Sequence, residues 1–452
     1  MDFLQTIFAA IVTLGLLVTV HEYGHFWVAR RCGVKVLRFS IGFGRPLYTR
    51  KDRHGTEFVV AAIPLGGYVK MLDEREGEVA EADLAQAFNR KSVGQRIAIV
   101  VAGPAANFLF AIFAYGLMFM TGVTSLAPVI GGVAPDSLAA KAGLQAQHEI
   151  ISVDDVSTPS WQKVSMQLLN HIGDSDVIEL QVRTFGEEAQ ENLSIPLQAW
   201  LVDSEVPDVL GGLGVKPFRP EVPARVKQVV AGSAAERANL QAQDLIVSVN
   251  GKRIKVWGEL VEFVQARPGE KVAFEVERNG TRVFQTVILD THEDGEGKVT
   301  GRVGIAVENP VWPAAMRRDT SYSLPGAFVA GLQQTWDMTA LILVSMKKML
   351  LGLISLKNLS GPITIAQVAG DSVQQGLETF LSFLAYLSIS LGVINILPIP
   401  LLDGGHLMYY LAELVRGKPV SEKIQMLGLR LGIGIIMTLM FFALYNDLTR
   451  LL

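Results

Sequence analysis

Residues 3–20 read FLQTIFAAIVTLGLLVTV and pass without a break into HEYGHFWVAR. A run of about 20 mostly apolar residues is long enough to span a bilayer. An ionisable group in such a helix costs roughly 2.5–3.5 kcal/mol when charged, so it usually marks function. His21, Glu22 and His25 stand at the end of this run. They could simply emerge among lipid headgroups. The pattern H-E-x-x-H speaks against that, because it sets two histidines one helical turn apart with a glutamate beside the first.

The rest of the chain carries the same signature. Half of its 452 residues are hydrophobic and only 19% are charged, with a mean hydropathy of +0.33. The excess sits in residues 1–28, 97–121, 377–401 and 426–446, while 122–320 reads as an ordinary polar globular region. A membrane protein with a soluble insertion is expected. The net charge of -4 and the lack of a dense basic cluster argue against a nucleic-acid partner. Cys32 is the single cysteine, which excludes an intramolecular disulfide and any thiolate metal cluster. Asp2 occupies the place of a basic leader region, so the first run is expected to stay as a span rather than be removed.

Charge predicts the topology. Arg30, Arg31, Lys35, Arg38, Arg45, Arg50, Lys51 and Arg53 follow the first run and belong on the cytoplasmic side. The run from Ile97 to Thr121 then returns the chain outward, so 122–320 lies outside the cytoplasm. The loop 415–423, with Arg416, Lys418 and Lys423, is cytoplasmic again. Residues 324–350 are interrupted by Gln333, Gln334, Asp337, Lys347 and Lys348, which fits an amphipathic helix lying in the interface better than a span.

The soluble insertion is a duplication. VAPDSLAAKAGLQAQHEIISVDD (133–155) and VVAGSAAERANLQAQDLIVSVNG (229–251) align at a constant offset. That offset pairs Ser137 with Ser233, Leu144 with Leu240, Asp154 with Asn250 and Trp161 with Trp257. Repeats of this kind fix the domain count. Each copy looks like a PDZ domain, a module that binds extended peptides by strand addition. The stretch GGLGV (211–215) is either a carboxylate-gripping loop or a plain turn between the copies.

On a helix His21 and His25 share one face. Their spacing lets two imidazoles reach one zinc, with Glu22 placed as a base toward water. Catalytic zinc normally takes three protein ligands. NILPIPLLDGGHL (395–407) supplies the third, because Pro398 and Pro400 must break the helix. Broken backbone at membrane depth survives only when protein-buried or lining a wet cavity. Asp403 follows at once. If 377–397 runs inward as the first helix does, Asp403 reaches the depth of His21 and His25. This shared depth requires four spans, not five. His406, three residues on, is not needed as a ligand, and His54, His148, His171 and His292 read as surface residues.

HEYGH, NILPIPLLDG and the PDZ-like modules between them resemble the site-2 protease family of intramembrane zinc metalloproteases. The resemblance covers essentially the whole chain. It implies that His21, His25 and Asp403 bind zinc, that Glu22 activates water, and that Asn395 contacts substrate in the segment holding Pro398 and Pro400. Where some members carry a further asparagine this chain has Ser390, so no role passes to it. It further implies single-span substrates: an anti-sigma factor already trimmed on its outer side, and remnant signal peptides. A bacterial inner membrane follows, with the PDZ-like domains in the periplasm.

Between the first two spans, VKVLRFSIGFG and EFVVAAIPLGGYVKM alternate and are glycine-rich, which predicts a hairpin. The resemblance implies that it dips into the membrane beside the zinc; the other reading is a cytoplasmic hairpin on the membrane surface. A helical substrate hides its scissile amide, and an exposed strand edge can hold it extended. NLSGPITIAQ (358–367) is expected to be a loop. The expected architecture is therefore a multi-span α-helical membrane protein of four spans, with a membrane-associated β-hairpin and two inserted α+β PDZ-like domains. Its parts are 1–121, the first membrane half; 122–220 and 221–310, the PDZ-like domains; 311–376, amphipathic helices and loop; and 377–452, the second membrane half. A scaffold with a purely structural zinc site, or an ion transporter, would also use intramembrane ligands. A structural zinc site needs no base at Glu22, and four spans with two PDZ-like modules fit poorly with the inverted-repeat plan of many transporters.

Overall fold

The computed structural model describes residues 3–202, 208–293, 299–307, 311–355 and 359–451. The last three residues of the second PDZ-like domain as delimited above, and Asn358 at the head of the expected loop, lie outside them. The longer helices are α1 (Phe3–Arg31), α2 (Val93–Thr121), α3 (Trp161–Leu169), α4 (Trp257–Gln265), α5 (Leu324–Leu350), α6 (Pro362–Gln375), α7 (Leu377–Ile396), α8 (Asp403–Arg416) and α9 (Glu422–Leu451). Among the described residues, four helices are long and apolar enough to cross a membrane: Thr6–Arg31, Val93–Thr121, Leu377–Ile396 and Glu422–Thr449. The helix α5 is not one of them.

The bundle gathers round α2. Its start is fixed by a capping box, in which Ser92 accepts from the Gln95 amide while the Gln95 side chain accepts from the Ser92 amide. Further along, Ala111, Ala114, Tyr115 and Met118 pack with Met338 of α5 and with Leu381, Ala385, Ile389 and Val393 of α7. Gly331 lets α5 come close, since a β-carbon there would lie 2.7 Å from the Ile112 carbonyl oxygen. By contrast α9 buries little of its length, as a helix facing lipid would. It meets α6 through Asp447, which accepts from the Gly361 and Ile363 amides at 2.9 and 2.8 Å and so caps that helix. The expected loop 358–367 is thus helical from Pro362 on; proline at a first helical turn loses no hydrogen bond.

The expected hairpin is β1 (Val36–Lys51) and β2 (Glu57–Met71), but each strand bends and pairs twice. Phe39 lies opposite both Phe58 and Val69, and Thr49 opposite Val59. Residues 36–43 are therefore flanked by 57–63 and 67–71, leaving 67–71 at one edge. Gly42 makes the bend at φ +90°, and a β-carbon there would sit 2.7 Å from the Ile63 carbonyl oxygen. Phe26 of α1 stacks edge-on against Phe39 and Phe58 at 5.4 and 5.5 Å, which seats this small sheet on the first helix.

The duplication is structural. In the first copy the sheet order is Val156–Ser157, His148–Val153, Val177–Thr184, Gln190–Pro196, with α3 packed on it. The second repeats it as Lys252–Arg253, Leu245–Val249, Lys271–Arg278, Thr281–Ile288, with α4. Ser137 and Ser233 each cap a short helix. Asp154 and Asn250 each take a positive φ, of 49° and 48°, in the turn after a strand. Leu144 and Leu240 are both buried.

Three expectations need correction here. Residues 211–215 are not an open loop, because Val209–Leu213 is a helical turn closed at Gly214 with φ +85°. The Gly211 and Gly212 amides are bound within it to Asp208. His148 is buried and 3.5 Å from Glu191, and His171 bridges Asp154 and Asp176 at 2.6 and 3.2 Å. The first PDZ-like domain is also tied to α5. Lys163 pairs with Asp337 at 2.8 Å, and the Lys348 ammonium donates to the Ile172 carbonyl at 2.6 Å and to that of Asn170.

Candidate metal centre

Two imidazoles and one carboxylate converge between α1 and α8. His21 Nε2 is 3.2 Å from His25 Nε2 and 3.1 Å from Asp403 Oδ2, and His25 Nε2 is 3.4 Å from the same oxygen. Both histidines are buried. Asp403 Oδ2 is buried without a hydrogen-bond partner. A tetrahedral ion with bonds of about 2.0–2.1 Å holds its ligand atoms roughly 3.3–3.4 Å apart. The donor set therefore fits a zinc-sized cation.

Each ligand is held by a local reason. His21 and His25 lie one turn apart on α1 and point the same way. His25 Nδ1 donates to the Ile99 carbonyl of α2 at 2.8 Å, so its Nε2 keeps the lone pair that a metal needs. That carbonyl lies in the turn ahead of Pro104, where a proline inside a helix loosens the backbone. Asp403 opens α8 after the chain breaks at residues 397–402. The two glycines behind it are forced: a β-carbon at Gly404 would meet the Ile396 carbonyl oxygen at 2.1 Å, and one at Gly405 that of Ile399 at 2.4 Å. Only glycine lets α8 start so close to the end of α7. The far end of α8 is held by Glu413, which takes the Arg96 guanidinium at 2.7 and 3.1 Å, while that guanidinium lies over the Tyr410 ring.

Glu22 stands on the edge strand's side of α1. A β-carbon at Gly67 would be 3.4 Å from its Cγ, so its side chain lies against the strand edge that carries Gly67. Asn395 is half-buried in the last turn of α7; Pro398 and Pro400 lie in the break that leads to Asp403. His406 faces Tyr409, ring centroids 6.5 Å apart, and is not part of the ligand cluster. In the second group with metal-like spacing among the described residues, His171 with Asp174 and Asp176, the Lys348 ammonium already lies 3.3 Å from Asp174.

Sequence reasoning passed over α2. Gly103, Asn107 and the Ile99 carbonyl all face the histidines. A lone asparagine and a Gly-Pro pair inside an apolar span were the available signals.

The chain is 44% identical over 451 residues to the regulator of sigma-E protease RseP of Escherichia coli, covering 100% of both chains. It is equally similar to RseP of Salmonella typhimurium, 44% over 451 residues, and 45% identical over 454 residues to protease RseP of Yersinia pestis, again with full coverage of both. Among solved structures, the PDZ domain of the SdrC-like protein of Listeria innocua matches 19% of this chain and 94% of its own at 23% identity, with a TM-score of 0.17. Residues 9–439 match peptidase family M50. This chain belongs to peptidase family M50.

Proposed function

We propose that the chain is an intramembrane zinc endopeptidase that cuts single-span membrane proteins within or beside the bilayer. The observation that carries this is the convergence of His21 Nε2, His25 Nε2 and Asp403 Oδ2, the last buried and unpaired, next to the Glu22 carboxylate. The resemblance to site-2 proteases points to an anti-sigma factor, after a first cut on its outer side, and to remnant signal peptides as the substrates. The setting is the bacterial inner membrane, with the PDZ-like pair in the periplasm limiting what reaches the site.

His21, His25 and Asp403 would hold the zinc. When bound, that ion supplies Lewis acidity, making water acidic enough to yield a proton near neutral pH. Glu22 accepts this proton as the water oxygen adds to the scissile carbonyl carbon. Glu22 then returns the proton to the leaving amide nitrogen as the C–N bond breaks. The edge at 67–71, lying against Glu22, holds the substrate extended by backbone pairing, which exposes an amide that a helix would hide. Asn395 contacts the strand from the α7 side, where Pro398 and Pro400 keep the backbone open. A structural metal site has no use for a base at Glu22.

The deciding experiment pairs metal analysis of the purified chain with cleavage of a tagged single-span substrate. The wild type should hold one zinc and cut. Glu22→Gln should keep the zinc and lose about 10²–10⁴-fold in turnover, the usual effect of removing a general acid–base group. Near-wild-type cleavage by the glutamine variant would refute this mechanism.

A further inference from the structure

Asn107 is fully buried in the middle of α2, a helix otherwise apolar at this level. A buried amide without partners is costly, so its surroundings should account for it. Its side-chain amide lies 3.1 Å from His21 Nδ1. Its main-chain carbonyl accepts from Ser388 Oγ of α7 at 2.8 Å, which fixes the residue from the other side. The amide oxygen, Oδ1, has no hydrogen-bond partner while the nitrogen faces the imidazole.

The chemistry of the site decides which end of this amide belongs against His21. A neutral imidazole has one N–H and one lone pair. If His21 Nε2 turns its lone pair to a metal, Nδ1 must carry the hydrogen, and Nδ1–H needs an acceptor. The two ends of an amide have the same shape. Turned by 180°, Asn107 presents its otherwise unpartnered oxygen to that hydrogen. His25 already shows the matching arrangement, its Nδ1 donating to Ile99 of the same helix. Positions 99 and 107 are eight residues apart and share a face of α2. Resting on the metalloprotease reading above, we propose that Asn107 is a positioning residue of the metal centre, whose amide oxygen accepts from His21 Nδ1 and holds the tautomer that aims Nε2 at the ion. One helix thereby sets both imidazoles.

The test measures zinc affinity of the full-length chain in detergent by chelator competition, with the thermal midpoint of the zinc-free protein alongside. Asn107→Leu keeps the bulk and removes the acceptor, and should weaken zinc about 10–100-fold, as loss of a ligand's hydrogen-bond partner does. Asn107→Asp keeps an acceptor at the same place and should stay within a few-fold of wild type. Equal affinity in the leucine variant, or a loss with aspartate as large as with leucine, overturns the proposal. If the leucine variant does not fold, cobalt-loaded protein decides. The d–d bands should move in Asn107→Asp, where a carboxylate makes the imidazole a stronger electron donor to the ion; unmoved bands in Asn107→Asp overturn it. A wild-type chain that takes up no zinc would sink the metalloprotease reading itself, a result distinct from zinc binding that ignores residue 107.

Discussion

Gly103 of α2 and His25 of α1 approach so closely that a β-carbon on the glycine would lie 2.3 Å from Nε2. No side chain fits between these helices while the imidazole keeps its place. Gly103→Ala should therefore displace the ring or part the helices. Overpacking costs about 1–3 kcal/mol, and if the metal site bears it, zinc affinity falls roughly 5- to 150-fold. Chelator titration checks this, and an alanine variant with wild-type affinity would contradict the geometry.

The Arg96–Glu413 pair ties the start of α2 to the end of α8, and both side chains are largely buried. Breaking such a pair leaves one charge without compensation. Glu413→Leu should destabilise by about 3 kcal/mol or more. The double variant with Arg96→Met should recover much of that loss, because no lone charge is left behind. Thermal or denaturant unfolding of the four proteins gives the cycle. A double variant no better than the single one would assign the loss to packing around Tyr410 instead.

Topology is open to labelling. In a Cys32→Ser background, cysteines at Ser323 and Gln374, both exposed, bracket α5 and α6. Because α5 lacks the composition of a span, both should react from the same side of the membrane, the side that carries the PDZ-like domains. Labelling from opposite sides would add a fifth span.

One segment should respond to acid. Hydrogen bonds from Arg90 and Asn89 pull the Glu74 carboxyl down to about 2. A carboxyl depressed in the folded state stabilises it above the ordinary carboxylate range, and that contribution is lost as pH falls toward 2. Protection against hydrogen exchange in residues 72–90, taken relative to the intrinsic amide rate at each pH, should fall between about pH 4.5 and 2. Glu74→Gln should exchange faster already at neutral pH and lose this acid dependence.

Much of this was legible in the chain because the signals were periodic or chemical. The i, i+4 histidines need only one helix to meet, and the repeat around Leu144 and Leu240 announces two like domains without any contact being known. Asp403 could be linked to them by depth alone, since span direction follows from charge. What escaped was set by tertiary closeness. Nothing local in GGLGV tells that Asp208 and Gly214 close it into a helical turn. Nothing near His148 foretells its burial beside Glu191. The strands β1 and β2 read as one hairpin because alternation reports a strand's faces, whereas the doubled pairing depends on where glycines such as Gly42 bend it. The role of α2 was hidden for a similar reason. Its contributions are a missing side chain at Gly103, a main-chain oxygen at Ile99 and one asparagine, none of which forms a pattern.

The ligand set joins the first helix to a residue near the other end of the chain, with both PDZ-like domains in between. A ribosome adding about 5–20 residues per second presents His21 and His25 on the order of tens of seconds before Asp403 exists. During that interval the emerging polypeptide holds two imidazoles and a base without the third ligand. On the proposed ligand set, peptidase capacity arrives only when synthesis is nearly finished.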